Sequence, residues 1–322
     1  MNRNMNAHDD FDRDDHGDFE RDNGRDDPPM INVKKAEGLP VIGPLLARIF
    51  DKGPRVAVVR LSGVLTDMGG MRKNTLSYAR VSKAVEKAFA VRGVRAVALV
   101  INSPGGAPAQ ASLIAGLVRQ LADEKDIPVF AFVEDVAASG GYWLACAGDK
   151  IYAQDCSIVG SIGVISAGFG MDRFISKFGI TRRLYTAGRD KSMLDPFSPE
   201  KPEDVERLKD LQAGIHEQFI DWVRSRRGDA IRGSGPELFE GRFWIGRPAI
   251  DLGLIDGIGD VRGVMREKFG PDVRLIETTA KPPFVPAFLA ARSGGIAFDE
   301  TALVDGAIAA VEDRALWSRY GL

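Results

Sequence analysis

Histidine is scarce in this chain. Of three in 322 residues, His8 and His16 fall in an acidic head, and only His216 lies where a fold would hold it. A serine nucleophile served by a histidine base therefore has one candidate partner, and a Ser-His-Asp triad is poorly supported. Cysteine is scarcer still. Cys146 and Cys156 are the only two, which excludes a disulfide framework and a four-cysteine zinc site and suits a reducing compartment. Charge of one sign is also missing: 43 Lys and Arg against 45 Asp and Glu leave a net of −2. That balance carries no basic footprint, so nucleic acid is not an expected partner. Long hydrophobic runs are absent as well. The nearest, Leu39 to Phe50, is broken by Pro44 and falls short of the roughly 18 apolar residues a membrane span needs.

What is present is unevenly spread. Residues 1–28 hold ten acids and four arginines, a net of −6, and close on Pro28-Pro29. With few apolar residues and no period, residues 1–30 read as a disordered acidic tail. They match neither a signal peptide nor a transit peptide, both of which avoid such acidity. Residues 31–54 read as an apolar arm. Lys34, Lys35, Arg48 and Lys52 flank or enter it, so it can pack on the body or on a neighbouring subunit, or touch a membrane surface. The reading is of a cytoplasmic protein with no transmembrane span, able to meet a membrane peripherally through 39–50.

From residue 55 the pattern alternates. Apolar runs at 55–61, 94–101 and 128–133 predict strands, with helices over 76–91 and 109–124 between them. The middle run, Val94-Arg-Ala-Val-Ala-Leu-Val-Ile101, is nearly continuous, as a strand buried on both faces should be. A helix starting near Ser139, a strand at 150–153, a helix at 170–178 and a strand at 181–186 follow. Residues 157–165 read as a strand or an extended loop. A long helix at 203–227 places Val205, Leu208, Leu211, Ile215, Phe219 and Trp222 at helical spacing. The order predicts an α/β fold with a mainly parallel sheet. A domain over 55–278, a Pro/Gly linker at 279–299 and a C-terminal helix within 300–322 complete the expected organisation.

Two glycine-rich corners follow predicted strands. Asn102-Ser-Pro-Gly-Gly106 can turn backbone N–H groups toward a ligand at the strand's C-terminal edge. In Ala137-Ala-Ser-Gly-Gly-Tyr-Trp143 a strand gives way to a helix. Ser139 there is either an ordinary N-cap or a nucleophile set beside unpaired N–H groups. His216 reads as structural, at the edge of the long helix. The other candidate base is a lysine made neutral by burial. Lys191, in Thr186-Ala-Gly-Arg-Asp-Lys-Ser-Met-Leu-Asp-Pro-Phe197, is not singled out by composition or period.

These blocks carry a resemblance. The two glycine corners, Gly160-Ser-Ile-Gly-Val-Ile165, the Lys191 segment, and Gly241-Arg-Phe-Trp with Leu252-Gly-Leu-Ile-Asp256 are similar, in the same order, to the signature blocks of the signal peptide peptidase A (protease IV) family. The similarity spans roughly residues 55–270. It implies a serine endopeptidase of the Clp protease/crotonase-like fold, a repeated β-β-α superhelix, working through an acyl-enzyme without metal or organic cofactor. It implies Ser139 as nucleophile, Lys191 as general base and Ser161 in support. Gly140 and Gly105 would be the oxyanion donors, with Gly106 the other choice at that corner. It further implies peptide or unfolded polypeptide substrates and a ring-like homo-oligomer with the dyad shared between neighbours. Two alternatives stand beside it: a crotonase-like acyl-CoA enzyme, which explains the glycine corners but not Ser139 with Lys191, and a non-catalytic scaffold of the same fold.

Overall fold

The computed structural model describes residues 53–67, 75–232, 236–279, 311 and 314–322, all within the unit Gly53–Leu322. The acidic tail, nearly all of the apolar arm, the linker from 280 onward and the helix expected over 300–310 lie outside the described residues.

The central sheet begins with β1 (Arg55–Ser62). A short pair, β2 (Val64–Leu65) and β3 (Thr75–Leu76), follows and leads into α1 (Tyr78–Phe89). β4 (Val94–Ser103) lies parallel to β1, and α2 (Pro108–Lys125) carries the chain on to β5 (Val129–Ala138), parallel to β4. Next come α3 (Gly140–Ala145), β6 (Lys150–Ala153), β7 (Ile158–Gly160), α4 (Asp172–Lys177) and α5 (Pro202–Arg227). The remainder is β8 (Phe243–Ile245), α6 (Gly246–Asp251), β9 (Gly257–Ile258), α7 (Val261–Phe269) and β10 (Arg274–Glu277). Strand order is β10-β1-β4-β5-β6-β9, with β7 on β5 and β8 on β7. Every pair is parallel except β7 with β8. Parallel neighbours cannot be joined by a tight hairpin, which is why helices intervene.

The continuous apolar run of β4 has its explanation in two cores. Val97, Leu99 and Ile101 point to one face, where α1 and α2 bring Val85, Phe89, Ile114 and Val118. Ala96, Ala98 and Val100 point to the other, against Val264 and Met265 of α7. Each Leu or Ile so buried contributes roughly 1.5–3 kcal/mol relative to exposure. The α/β fold with a mainly parallel sheet is thus the one the alternation predicted.

β5 decides where the chemistry sits. Its first half pairs with β6 through Phe130–Phe132, and its second half with β7 through Val136–Ala138. On the other side the β4 register shifts, so that Ile101 faces Val133 but Ser103 faces Ala137. The shift brings the Ser103–Gly106 corner beside the end of β5.

Two expectations change. Residues 181–186 join no sheet, and Ile180, Leu184 and Tyr185 are exposed. A strand exists only where a partner edge meets it, and none does so among the described residues. In α5, Phe219 and Val223 are buried, whereas Leu211 is 59% exposed and Ile215 is also exposed. The middle of that apolar stripe lacks a cover within the described residues, while Val205 and Leu208 ahead of it are half-buried.

Candidate active site

Ser139 directly follows β5, with φ 53° and ψ −123°. An N-cap serine sits in the extended region and spends its oxygen on a first-turn N–H. Ser139 does neither: its backbone is left-handed in φ and its side chain makes no capping bond. Non-glycine residues in such conformations cost about 1–3 kcal/mol and persist where the surroundings fix them. Here the Ser139 N–H donates to the Gly160 carbonyl at 2.8 Å, and its own carbonyl accepts from the N–H groups of Tyr142 and Trp143. The result is a half-buried serine whose hydroxyl is uncommitted among the described residues, one residue ahead of the Gly140 N–H.

The second glycine corner packs directly beneath it. A Cβ on Gly105 would lie 2.8 Å from Ser139 Cβ and 2.9 Å from Gly140 N, and Gly105 has φ +101°. Gly105→Ala is therefore expected to push Ser139 out of place, read as labelling of its hydroxyl by an alkyl fluorophosphonate slowed at least tenfold. The Gly105 N–H donates to Ser103 Oγ at 3.3 Å, while Leu65 takes up the Gly105 carbonyl and the Ala107 N–H. Gly106, between them, lines the same cavity as Ser139.

Behind the serine, α3 is held at both ends. Tyr142 Oη donates to the Leu254 carbonyl at 2.7 Å. Trp222 Nε1 donates to the Trp143 carbonyl at 3.0 Å and Arg226 Nε to the Cys146 carbonyl at 2.9 Å. These satisfy carbonyls that a helix end leaves open, with a cation where the dipole favours one. Arg227 is buried below, donating to the Gly253 carbonyl and to Asp256 at 2.7 Å. Burial pushes the Cys146 thiol up to about 12, which makes it an inert packing group rather than a nucleophile.

Ser139 opens into a cavity of about 440 Å³, within the range of small-ligand sites. Gly140 and Ser161 share its wall with Trp143, Ile215 and Phe219. Ser161 is buried, carries φ 53° and donates its N–H to the Arg242 carbonyl at 2.6 Å. The structure thus brings Ser139, Gly140 and Ser161 together, with Gly105 packed against the serine. Lys191 is exposed in the turn at 189–194 and is not among the cavity-lining residues. His216, read from sequence as structural, does line the cavity, yet it makes no hydrogen bond to Ser139 and its Nε2 is buried without a partner among the described residues. The last turn of the chain, through Leu316 and Arg319, is a wall that sequence reasoning missed. Nothing local marks residues so distant in sequence as neighbours. Among the described residues no group of His, Cys, Asp and Glu is arranged to hold a metal ion.

Comparison with known proteins gives the following. The sequence model of peptidase family S49 matches residues 122–269, which include Ser139, Ser161 and Lys191. A protease-named protein of Synechocystis sp. is 30% identical over 205 residues, covering 64% of this chain and 70% of that protein. The chloroplastic serine protease SPPA of Arabidopsis thaliana is 29% identical over 235 residues, covering 72% of this chain and 34% of that protein. A protein of Brucella abortus named Na(+)/H(+) antiporter NhaA is 48% identical over 276 residues, covering 83% of this chain and 37% of that protein. The chain therefore spans just over a third of the Brucella relative's length. Among the described residues no helix is long and apolar enough to cross a membrane.

Proposed function

The chain belongs to peptidase family S49, and on that premise we propose that it is a serine endopeptidase in which Ser139 is the nucleophile and Lys191 the base. The observation that carries the reading is the backbone of Ser139. Its left-handed φ and free hydroxyl, set at the mouth of the cavity, have no use in packing or capping. In the reaction, neutral Lys191 takes the Ser139 proton as Oγ attacks the substrate carbonyl. Developing charge on the carbonyl oxygen meets the Gly140 N–H and, of the glycine pair, that of Gly106, since the Gly105 N–H is engaged with Ser103. The protonated lysine then gives its proton to the leaving amine. Water, activated by the same amine, releases the acid and restores the serine. One oxyanion donor in comparable sites is worth on the order of 3 kcal/mol.

The base comes from a second copy of the chain. Lys191 is exposed, and the stretch around it leaves Phe169 87% and Tyr185 90% exposed, along with Phe174, Phe178 and Ile180. An apolar surface of that extent calls for cover. A neighbouring protomer would supply it, bury the amine and bring it to the next Ser139. This favours a closed homo-oligomer acting on peptides or unfolded chains. An alkyl fluorophosphonate tests the nucleophile: it is expected to label the wild type on Ser139 and leave Ser139→Ala unmodified. Labelling elsewhere with peptide hydrolysis intact would move the nucleophile off Ser139, and no labelling together with no hydrolysis would favour the scaffold reading.

A further inference from the structure

The C-terminal turn enters the site through Tyr320. This side chain is 8% exposed, packed on Val136 and Ala138 of β5, the strand that leads into Ser139. Its ring meets Phe243 of β8 edge-on at 5.3 Å. Its Oη donates to Ser161 Oγ at 3.3 Å. Ser161 is otherwise held by its backbone, through the Arg242 carbonyl, which among the described residues leaves its hydroxyl free to rotate but for this one contact.

We propose that Tyr320 is a positioning residue for the reaction, fixing the Ser161 hydroxyl from the last turn of the chain, so that this turn is a working wall of the catalytic cavity. The proposal rests on the reading of Ser139 as nucleophile and Ser161 as its support. A hydroxyl accepts through two lone pairs and donates one proton. With Tyr320 donating to the oxygen, the Ser161 proton is turned away from Tyr320 and directed to whatever enters beside it, the base amine included. The turn is a wall rather than a stopper, because about 440 Å³ stays open with Leu316 and Arg319 in place.

Tyr320→Phe isolates the hydroxyl, since the ring keeps its contacts with Val136, Ala138 and Phe243. The expected result is a fall in kcat of about threefold to tenfold, the scale of one net hydrogen bond, with KM and the melting temperature unchanged. In a Ser161→Ala background the same substitution is expected to change nothing further, because the group it acts through is gone. If Ser161→Ala leaves too little turnover, the rate of fluorophosphonate labelling of Ser139 gives the same comparison. Wild-type kcat in Tyr320→Phe, a change in KM alone, or equal falls in both backgrounds would overturn the proposal. So would a rise in activity on deleting residues 311–322, which would mark the turn as a stopper. Failure of the underlying reading has its own signature: Ser139→Ala would keep hydrolysing peptide, whatever Tyr320→Phe does.

Discussion

Mixing two dead enzymes is expected to give a live one. Ser139→Ala and Lys191→Ala should each abolish peptide hydrolysis, with losses of at least a thousandfold, since nucleophile and base act as a unit. Both should fold normally, because Ser139 Oγ makes no capping bond to its helix and Lys191 is exposed. Combined under conditions that allow subunit exchange, some interfaces will set an intact Ser139 against an intact Lys191 from the other chain. Activity should return to a substantial fraction of wild type. The exposed lysine and the uncovered apolar side chains from Phe169 to Tyr185 motivate the experiment. A dyad closed within one chain predicts no recovery, and a base other than Lys191 predicts that Lys191→Ala is active by itself. A fully active monomer in sedimentation would end the shared-site reading.

The second large effect is expected in stability. Buried Arg227 and half-buried Asp256 form an ion pair at 2.7 Å, below the helix that follows the nucleophile. Burial alone would raise the Asp256 carboxyl, but the Arg227 hydrogen bond and charge, with the Ile151 N–H and Lys150, outweigh it and hold the group below its usual value. Asp256→Ala leaves the Arg227 charge buried and unpaired. Breaking such a pair costs about 3–5 kcal/mol, a melting shift on the order of 10 °C for a domain of this size. The double variant Asp256→Leu with Arg227→Met should recover much of that loss. A loss under about 0.5 kcal/mol in Asp256→Ala would show the pair to be idle. The sign with pH follows. A depressed carboxylate stabilises the fold above its unfolded value, near 3.9, and the contribution is lost as pH falls through the lower folded value. Acid unfolding of the wild type should therefore flatten in the double variant below about pH 4, which urea titrations at several pH values will read.

Sequence and structure divide the account of this protein along a physical line. The alternation from Arg55 to Ala153 reported strands and helices because each side chain there answers to its nearest neighbours and to one of two buried faces. Val97, Leu99 and Ile101 against Ala96, Ala98 and Val100 make β4 legible from eight letters. The glycine corners were legible too, since only glycine takes the conformations at Gly105 and Gly106 without strain. Whether Ser139 capped a helix or stood free was left open by sequence, because both uses need the same residue in the same place; the left-handed φ, imposed by β7 and the Gly105 corner, decided it. The strand expected at 181–186 failed for want of an edge, which no local pattern records. Tertiary structure alone brought His216, Leu316 and Arg319 to one cavity and Tyr320 to Ser161. Contacts between residues 77 to 180 positions apart are fixed by how sheets and helices stack. A single chain's letters carry no term for that.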